Sequence, residues 1–119
     1  MRLSLESDLL LVELGPLERL FALHGTLRIS LAQIERATTE RPSGRWAELR
    51  LPGTYVPGLI KAGTYRWWGR KEFWYITRGK GFLVLHTKPT AAYTRVVLAL
   101  DGNAEWAQRI NAALEARRN

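Results

Sequence analysis

The sequence predicts a mainly β domain with a C-terminal α-helix: a small antiparallel barrel or sandwich capped by that helix. Three observations carry this reading. About seven short apolar or alternating runs are separated by turn residues, the pattern of strands. The period then changes near the C-terminus, where Trp106, Ile110, Ala113 and Leu114 stand at i, i+4, i+7 and i+8 on one helix face. A sheet of this size also needs closure or cover to hide its edges. The 119 residues amount to one domain, 1–119, long enough to bury roughly two-thirds of the surface of the unfolded chain.

The elements follow in order. Leu3 and Leu5 alternate with polar neighbours as in a strand, and Glu6-Ser7-Asp8 is a polar turn. Leu9 to Leu14 is an apolar run of strand length, broken by Gly15-Pro16. Pro16 suits the first position of a helix, and Leu17, Leu20, Phe21 and Leu23 follow at helical spacing up to Gly25; the same spacing also fits a bent strand. Thr26 to Ser30 reads as a strand. Ser30-Leu31-Ala32-Gln33 matches a capping box and predicts one helical turn before Ile34 to Thr39 extends again. Arg41-Pro42-Ser43-Gly44 is a turn. Residues 51–64, with three Gly and two Pro, predict a long ordered loop.

Thr64 to Trp68 and Glu72 to Arg78 flank Gly69-Arg70-Lys71, which predicts a hairpin. Gly81 to Thr87 follows the tight turn Arg78-Gly79-Lys80, and Lys88-Pro89-Thr90 leads into Tyr93 to Leu100. These four strands form an antiparallel meander over 64–100, because the connections are too short for parallel crossovers. Asp101 or Asn103 then serves as N-cap of the final helix, and Arg117 and Arg118 complement its dipole in the last turn.

Composition excludes several classes. Apolar residues make up 46% and charged residues 24%, ordinary for a globular chain, and cysteine is absent. A disulfide scaffold, thiolate chemistry and a cysteine-containing metal site are thereby excluded. No stretch reaches the ~18 apolar residues of a membrane span, and the N-terminus lacks a signal-peptide layout. A soluble cytoplasmic protein is expected, in keeping with the missing cysteine. The formal charge is +7 and unevenly placed. Residues 1–40 carry a net −2, residues 41–95 a net +9, and residues 96–119 none. Such a central excess either keeps a small protein soluble or docks a polyanion or acidic partner.

Two stretches together with the helix resemble an uncharacterised bacterial pleckstrin-homology-like (PH-like) family. One runs from Glu13-Leu14-Gly15-Pro16-Leu17-Glu18 through Leu27-Arg28-Ile29-Ser30-Leu31. The other runs from Pro52-Gly53-Thr54 through Pro57-Gly58-Leu59-Ile60 to Gly63-Thr64-Tyr65-Arg66 and Phe73-Trp74. Trp106 stands where PH domains characteristically carry a helix tryptophan. The resemblance covers most of the chain and implies a single PH-like domain. As a class such domains bind phosphoinositides, peptides or other proteins, or act as scaffolds, so the fold alone does not deliver a function. Eukaryotic inositol-lipid binders carry a basic motif in the first hairpin. Here that hairpin, around Glu6-Ser7-Asp8, is acidic.

No catalytic constellation is legible. The two histidines are His24, before Gly25, and His86, which alternates with Val84 and Phe82 and reads as a half-buried structural residue. No nucleophile elbow, zinc-protease helix or phosphate loop occurs. Gly79-Lys80-Gly81 is too short for a nucleotide fingerprint. Glu13 with Glu18, or Glu35 with Glu40, reads as surface acids rather than a working pair. No clustered ligand set for a metal is present. The expectation is therefore a protein that is not an enzyme, with no cofactor, no metal and no small-molecule substrate.

One segment is unusual. Residues 65–75 place six aromatics and three bases in eleven positions. Strand alternation predicts that Trp67 and Trp68 are not both core, and likewise Trp74 against Phe73 and Tyr75. Cross-strand aromatic packing and Arg–Trp stacking explain such a hairpin structurally. As a binding face it comprises Arg66, Trp67, Trp68, Arg70, Lys71, Trp74, Arg78 and Lys80, residue types common at interaction hot spots. The expected function is an interaction module that binds a protein partner or itself. Peripheral binding to an anionic membrane requires these bases to cluster on one side. Single-stranded nucleic acid binding, which uses stacking aromatics in a basic groove, ranks third.

Overall fold

The structure is a computed structural model. It describes residues 1–16, 25–40, 53–56, 60–67, 70–77 and 79–118, with side chains described except at 53–56, 60–62 and 65–67. Among the described residues, nine strands, a 3-10 turn and one long helix follow in order. They are β1 (Arg2–Glu6), β2 (Leu9–Glu13), β3 (Leu27–Ser30), the 3-10 turn Leu31–Gln33, β4 (Ile34–Thr38), β5 (Gly53–Val56), β6 (Ile60–Trp67), β7 (Arg70–Thr77), β8 (Gly81–Thr87), β9 (Arg95–Leu100) and α1 (Asn103–Arg118). They form a three-stranded sheet, β1-β2-β3, and a six-stranded sheet, β4-β8-β9-β7-β6-β5. The expected β class with a terminal helix is present. The sheets form an open sandwich rather than a closed barrel.

The first hairpin forms as its alternation dictates. Leu3 pairs with Val12 and Leu5 with Leu10, while Ser7 takes a φ of 48° in the two-residue turn between the strands. Leu3, Leu10, Val12, Leu27 and Ile29 are buried against the larger sheet's inner residues Phe73, Tyr75, Leu83, Leu85, Val96 and Leu98 in one core cluster. The 3-10 turn occurs where the capping pattern placed it, but the Ser30 side chain makes no cap hydrogen bond. The Gln33 side chain instead accepts from the Thr90 hydroxyl at 2.9 Å.

Three expectations are corrected. First, residues 51–64 are not mainly loop. β5 pairs with β6 from Gly53↔Gly63 to Val56↔Ile60, so strand β6 begins four residues before Thr64. Second, Arg70 and Lys71 belong to β7 rather than to the turn, with Trp67↔Arg70 as the outermost β6–β7 pair. Third, 64–100 is not a simple meander. β9 inserts between β7 and β8, antiparallel to β8 and parallel to β7. The parallel pair needs no short crossover, because β8 with its flanking links is itself the long connection that such a pair requires. β7 and β8 thus lie two strand spacings apart, roughly 10 Å, a span that the short link 78–80 has enough chain to bridge. Gly79 enters that link at φ 87°.

Helix α1 buries Ala107, Ile110 and Leu114, while Trp106 and Ala113 are partly buried against the same core. It packs on β4, β8 and the 3-10 turn. Neither proposed N-cap residue is seen capping. Asn103 donates to the Phe82 carbonyl at 2.8 Å, and Asp101 pairs with Lys80. Gly81 lets Asn103 in: a Cβ there would stand 2.5 Å from the Asn103 side chain. Across the β4 edge, Asn111 bonds both the N–H and the C=O of Ala37 at 2.9 Å. Arg117, in the last turn as expected, pairs with Asp8 of the first hairpin turn. The helix therefore ties the two sheets together and covers one open strand edge. The reading of 17–24 as a helix or bent strand, and the turn at 41–44, lie outside the described residues.

Candidate functional site

The residues expected to form one binding face are divided by the fold. Arg70 and Lys71 open β7, and Lys80 follows its far end. Eight strand residues separate these ends, about 25 Å at the usual rise. Arg66 is the register partner of Lys71, and Trp67 that of Arg70; the side chains of Arg66 and Trp67, and all of Trp68 and Arg78, lie outside the described residues. Arg70 is exposed. The Lys71 ammonium sits 4.7 Å from the centre of the Tyr93 ring, a cation–π contact. Lys80 lies 3.4 Å from Asp101 on the surface.

Trp74 is the clearest correction. It is 1% exposed, between Phe73 at 0% and Tyr75 at 5%. Alternation requires these neighbours to face opposite ways, and they do; what it does not require is that one way be solvent. Phe73 and Tyr75 face the smaller sheet, while Trp74 packs with Val84 and Val97 in a second cluster on the other face. Trp74 therefore offers no surface for stacking.

Around it lies a polar band across the outer face. Glu72, 1% exposed, accepts from the Trp74 indole N–H and from the Arg95 guanidinium, each at 2.9 Å. The Arg95 guanidinium also lies 5.4 Å from the Trp74 ring centre, and its Nε–H is buried without a partner. A buried carboxylate is tolerated only with such company. Register places His86 beside Arg95 on one side and Arg36 on the other. His86 is half-buried, as expected, and its Nε2 lies 3.0 Å from the Thr38 hydroxyl. Burial first, then the charges of Arg36 and Arg95, hold its pKa below the ordinary histidine value. The band pairs internally except at the Arg95 Nε–H. Glu72 is satisfied by Trp74 and Arg95, so it holds strands together.

A cleft of about 390 Å³ opens at one end of the sandwich, lined by residues that include Arg2, Leu3, Tyr75, Lys80, Asp101 and Trp106. The Arg109 guanidinium covers the Trp106 ring at 4.1 Å. The cleft holds neither His86 nor a second carboxylate. No group of three or more metal-ligating side chains occurs among the described residues.

A different feature escaped the sequence reading. β1 and β3 are both edges of the small sheet. The two-residue turn makes Glu6 and Leu9 the closing hydrogen-bonded pair. Alternation then directs the backbone groups of Arg2, Ser4 and Glu6 toward β2, and those of Leu3 and Leu5 away from it. Among the described residues no strand takes up that outer edge. A charged alternating run at the start of the chain was the signal, but edge position depends on the three-dimensional order of strands.

The architecture defines a small two-sheet β domain with a covering C-terminal helix. No family model, no curated protein and no solved structure matches the chain. No helix among the described residues is long and apolar enough to cross a membrane.

Proposed function

We propose that this chain is a PH-like, non-catalytic interaction module of the cytoplasm whose ligand is a protein, bound by addition of a strand to the small sheet. The observation that carries this reading is the outer edge of β1, where the backbone groups of Leu3 and Leu5 meet no strand among the described residues. Such an edge is a template for a further strand. The charged groups favour a protein over the other partners. The bases that membrane docking would gather stand at opposite ends of β7, and Lys80 is paired with Asp101. Trp74, one of the aromatics offered for stacking a nucleic acid base, is buried. The acid of the cleft, Asp101, is taken up by Lys80 in the same way.

Sedimentation equilibrium over a concentration series, run beside co-sedimentation with anionic vesicles over a salt series, tests this. The expected result is reversible self-association and no salt-sensitive vesicle binding. A monomer at every concentration that pellets with anionic vesicles at low salt would overturn it.

A further inference from the structure

We infer that the occupant of the β1 edge is β1 of a second copy, paired antiparallel about a two-fold axis at Ser4, so that two three-stranded sheets join into one of six. This rests on the proposed strand addition and specifies its partner and register.

The argument comes from the sequence Arg2-Leu3-Ser4-Leu5-Glu6, which complements its own reverse. With Ser4 opposite Ser4, Arg2 faces Glu6 of the second copy and Leu3 faces Leu5, and the same contacts repeat across the axis. The backbone phase agrees. Leu3 and Leu5 are the residues whose N–H and C=O point to the free side, and this register sets them opposite each other as hydrogen-bonded pairs. A register shifted by one residue would oppose an outward-pointing residue to an inward-pointing one and form no ladder. The faces agree as well. Arg2 and Glu6 are exposed on the solvent side, whereas Leu3 is buried and Leu5 half-buried on the core side. Opposite charges would therefore meet opposite charges in the wet layer, and leucine would meet leucine in the apolar one. The Arg2–Glu6 pairs fall at non-hydrogen-bonded sites, where side chains come closest. Arg2 and Leu3 also line the open cleft. The other free edge lacks this property. Leu27-Arg28-Ile29-Ser30 has one charge and would oppose Arg28 to a second Arg28, or to nothing, in a two-fold pairing. A two-fold interface of self-complementary patches is also the commonest form of protein self-association.

The test uses the full chain and three charge variants: Glu6→Arg, the triple variant Arg2→Glu with Glu6→Arg and Glu13→Arg, and Arg28→Glu. Glu6 lies opposite Leu9 within its own hairpin, whereas Arg2 lies opposite Glu13, so Arg2→Glu is combined with Glu13→Arg to keep opposite charges across β1 and β2. In the dimer Glu6→Arg turns two attractive pairs into two repulsive ones. The expected result is a dimer weakened about tenfold or more by Glu6→Arg, restored by the triple variant and unchanged by Arg28→Glu. Hydrogen exchange gives a readout independent of substitution: the Leu3 and Leu5 amides should gain protection as concentration rises. A wild-type dimer indifferent to the β1 variants, with Leu3 and Leu5 amides unprotected, overturns this register and leaves protein binding standing. A wild-type chain monomeric throughout overturns the second copy as occupant.

Discussion

β7 and β1 are both strands with charged residues near their ends and apolar residues between, yet they sit in opposite surroundings. β7 pairs with β6 on one side and β9 on the other, and its Phe73, Trp74 and Tyr75 are buried on alternate faces. Among the described residues β1 pairs on one side only, and it buries one face. The middle strands of the six-stranded sheet are paired on both sides, and the Glu72 carboxylate between them is shared by Trp74 and Arg95. The three-stranded sheet keeps hydrogen-bonding capacity in reserve. Among the described residues, the aromatics Phe73, Trp74 and Tyr75 are framework, and the plainer β1 is the strand with an open edge.

The largest effect that tests this contrast comes from paired substitutions in the two sheets. Trp74→Ala removes a fully buried ring and leaves Glu72 without one of its donors, and is expected to cost about 3–5 kcal/mol in urea unfolding. Leu9→Ser, on the outer face of the small sheet and 37% exposed, should stay within about 0.5 kcal/mol. Equal losses at the two positions would mean that the outer face of the small sheet is no freer than the middle of the large one.

The sequence carried more of the fold than of the site. Strands β1 to β4 and the terminal helix were legible because half-buried strands and amphipathic helices write their period directly, as Leu3/Leu5 and Ile110/Leu114 do. β7 was misread because alternation was taken to mean one wet face. The continuous runs Phe73-Trp74-Tyr75-Ile76 and Val96-Val97-Leu98-Ala99-Leu100 are the signature of strands buried on both faces, which parallel neighbours commonly are. The β5–β6 hairpin hid behind its glycines: Gly53 and Gly63 face each other in register, in a segment whose composition reads as loop. The candidate edge was illegible for a different reason. Nothing local to Arg2–Glu6 states that β1 ends its sheet; that is read from the strand order β1-β2-β3 among the described residues.

A smaller effect tests how the large sheet closes its own edge. Asn111→Ala removes both hydrogen bonds to Ala37 and exposes β4 as an edge comparable to β1. The expected loss is about 1–2 kcal/mol, with faster hydrogen exchange at the Ala37 amide and unchanged exchange at Leu85, its register partner in β8. An Ala37 amide exchanging as slowly as before would show that the helix backbone, not the Asn111 amide, is what shields β4.

The smallest effect concerns pH and belongs to the large sheet, since the described part of the small sheet contains no histidine. His86 is held below its unfolded pKa of 6.5 by burial and by Arg36 and Arg95. Between the folded value and 6.5 the unfolded chain binds more protons than the folded one, so stability rises with pH there. The contribution is fully present above 6.5 and is lost as pH falls through that value toward the folded pKa. Urea midpoints at about pH 8 and about pH 5 should differ more in the wild type than in His86→Gln, which retains a partner for the Thr38 hydroxyl but does not titrate. Arg36→Gln removes one of the two opposing charges while leaving burial intact, so it should shrink the difference without abolishing it. A wild-type midpoint no more acid-sensitive than that of His86→Gln would show that the band adjusts to the imidazolium, and that the outer face of the large sheet is as accommodating as the open edge of the small one.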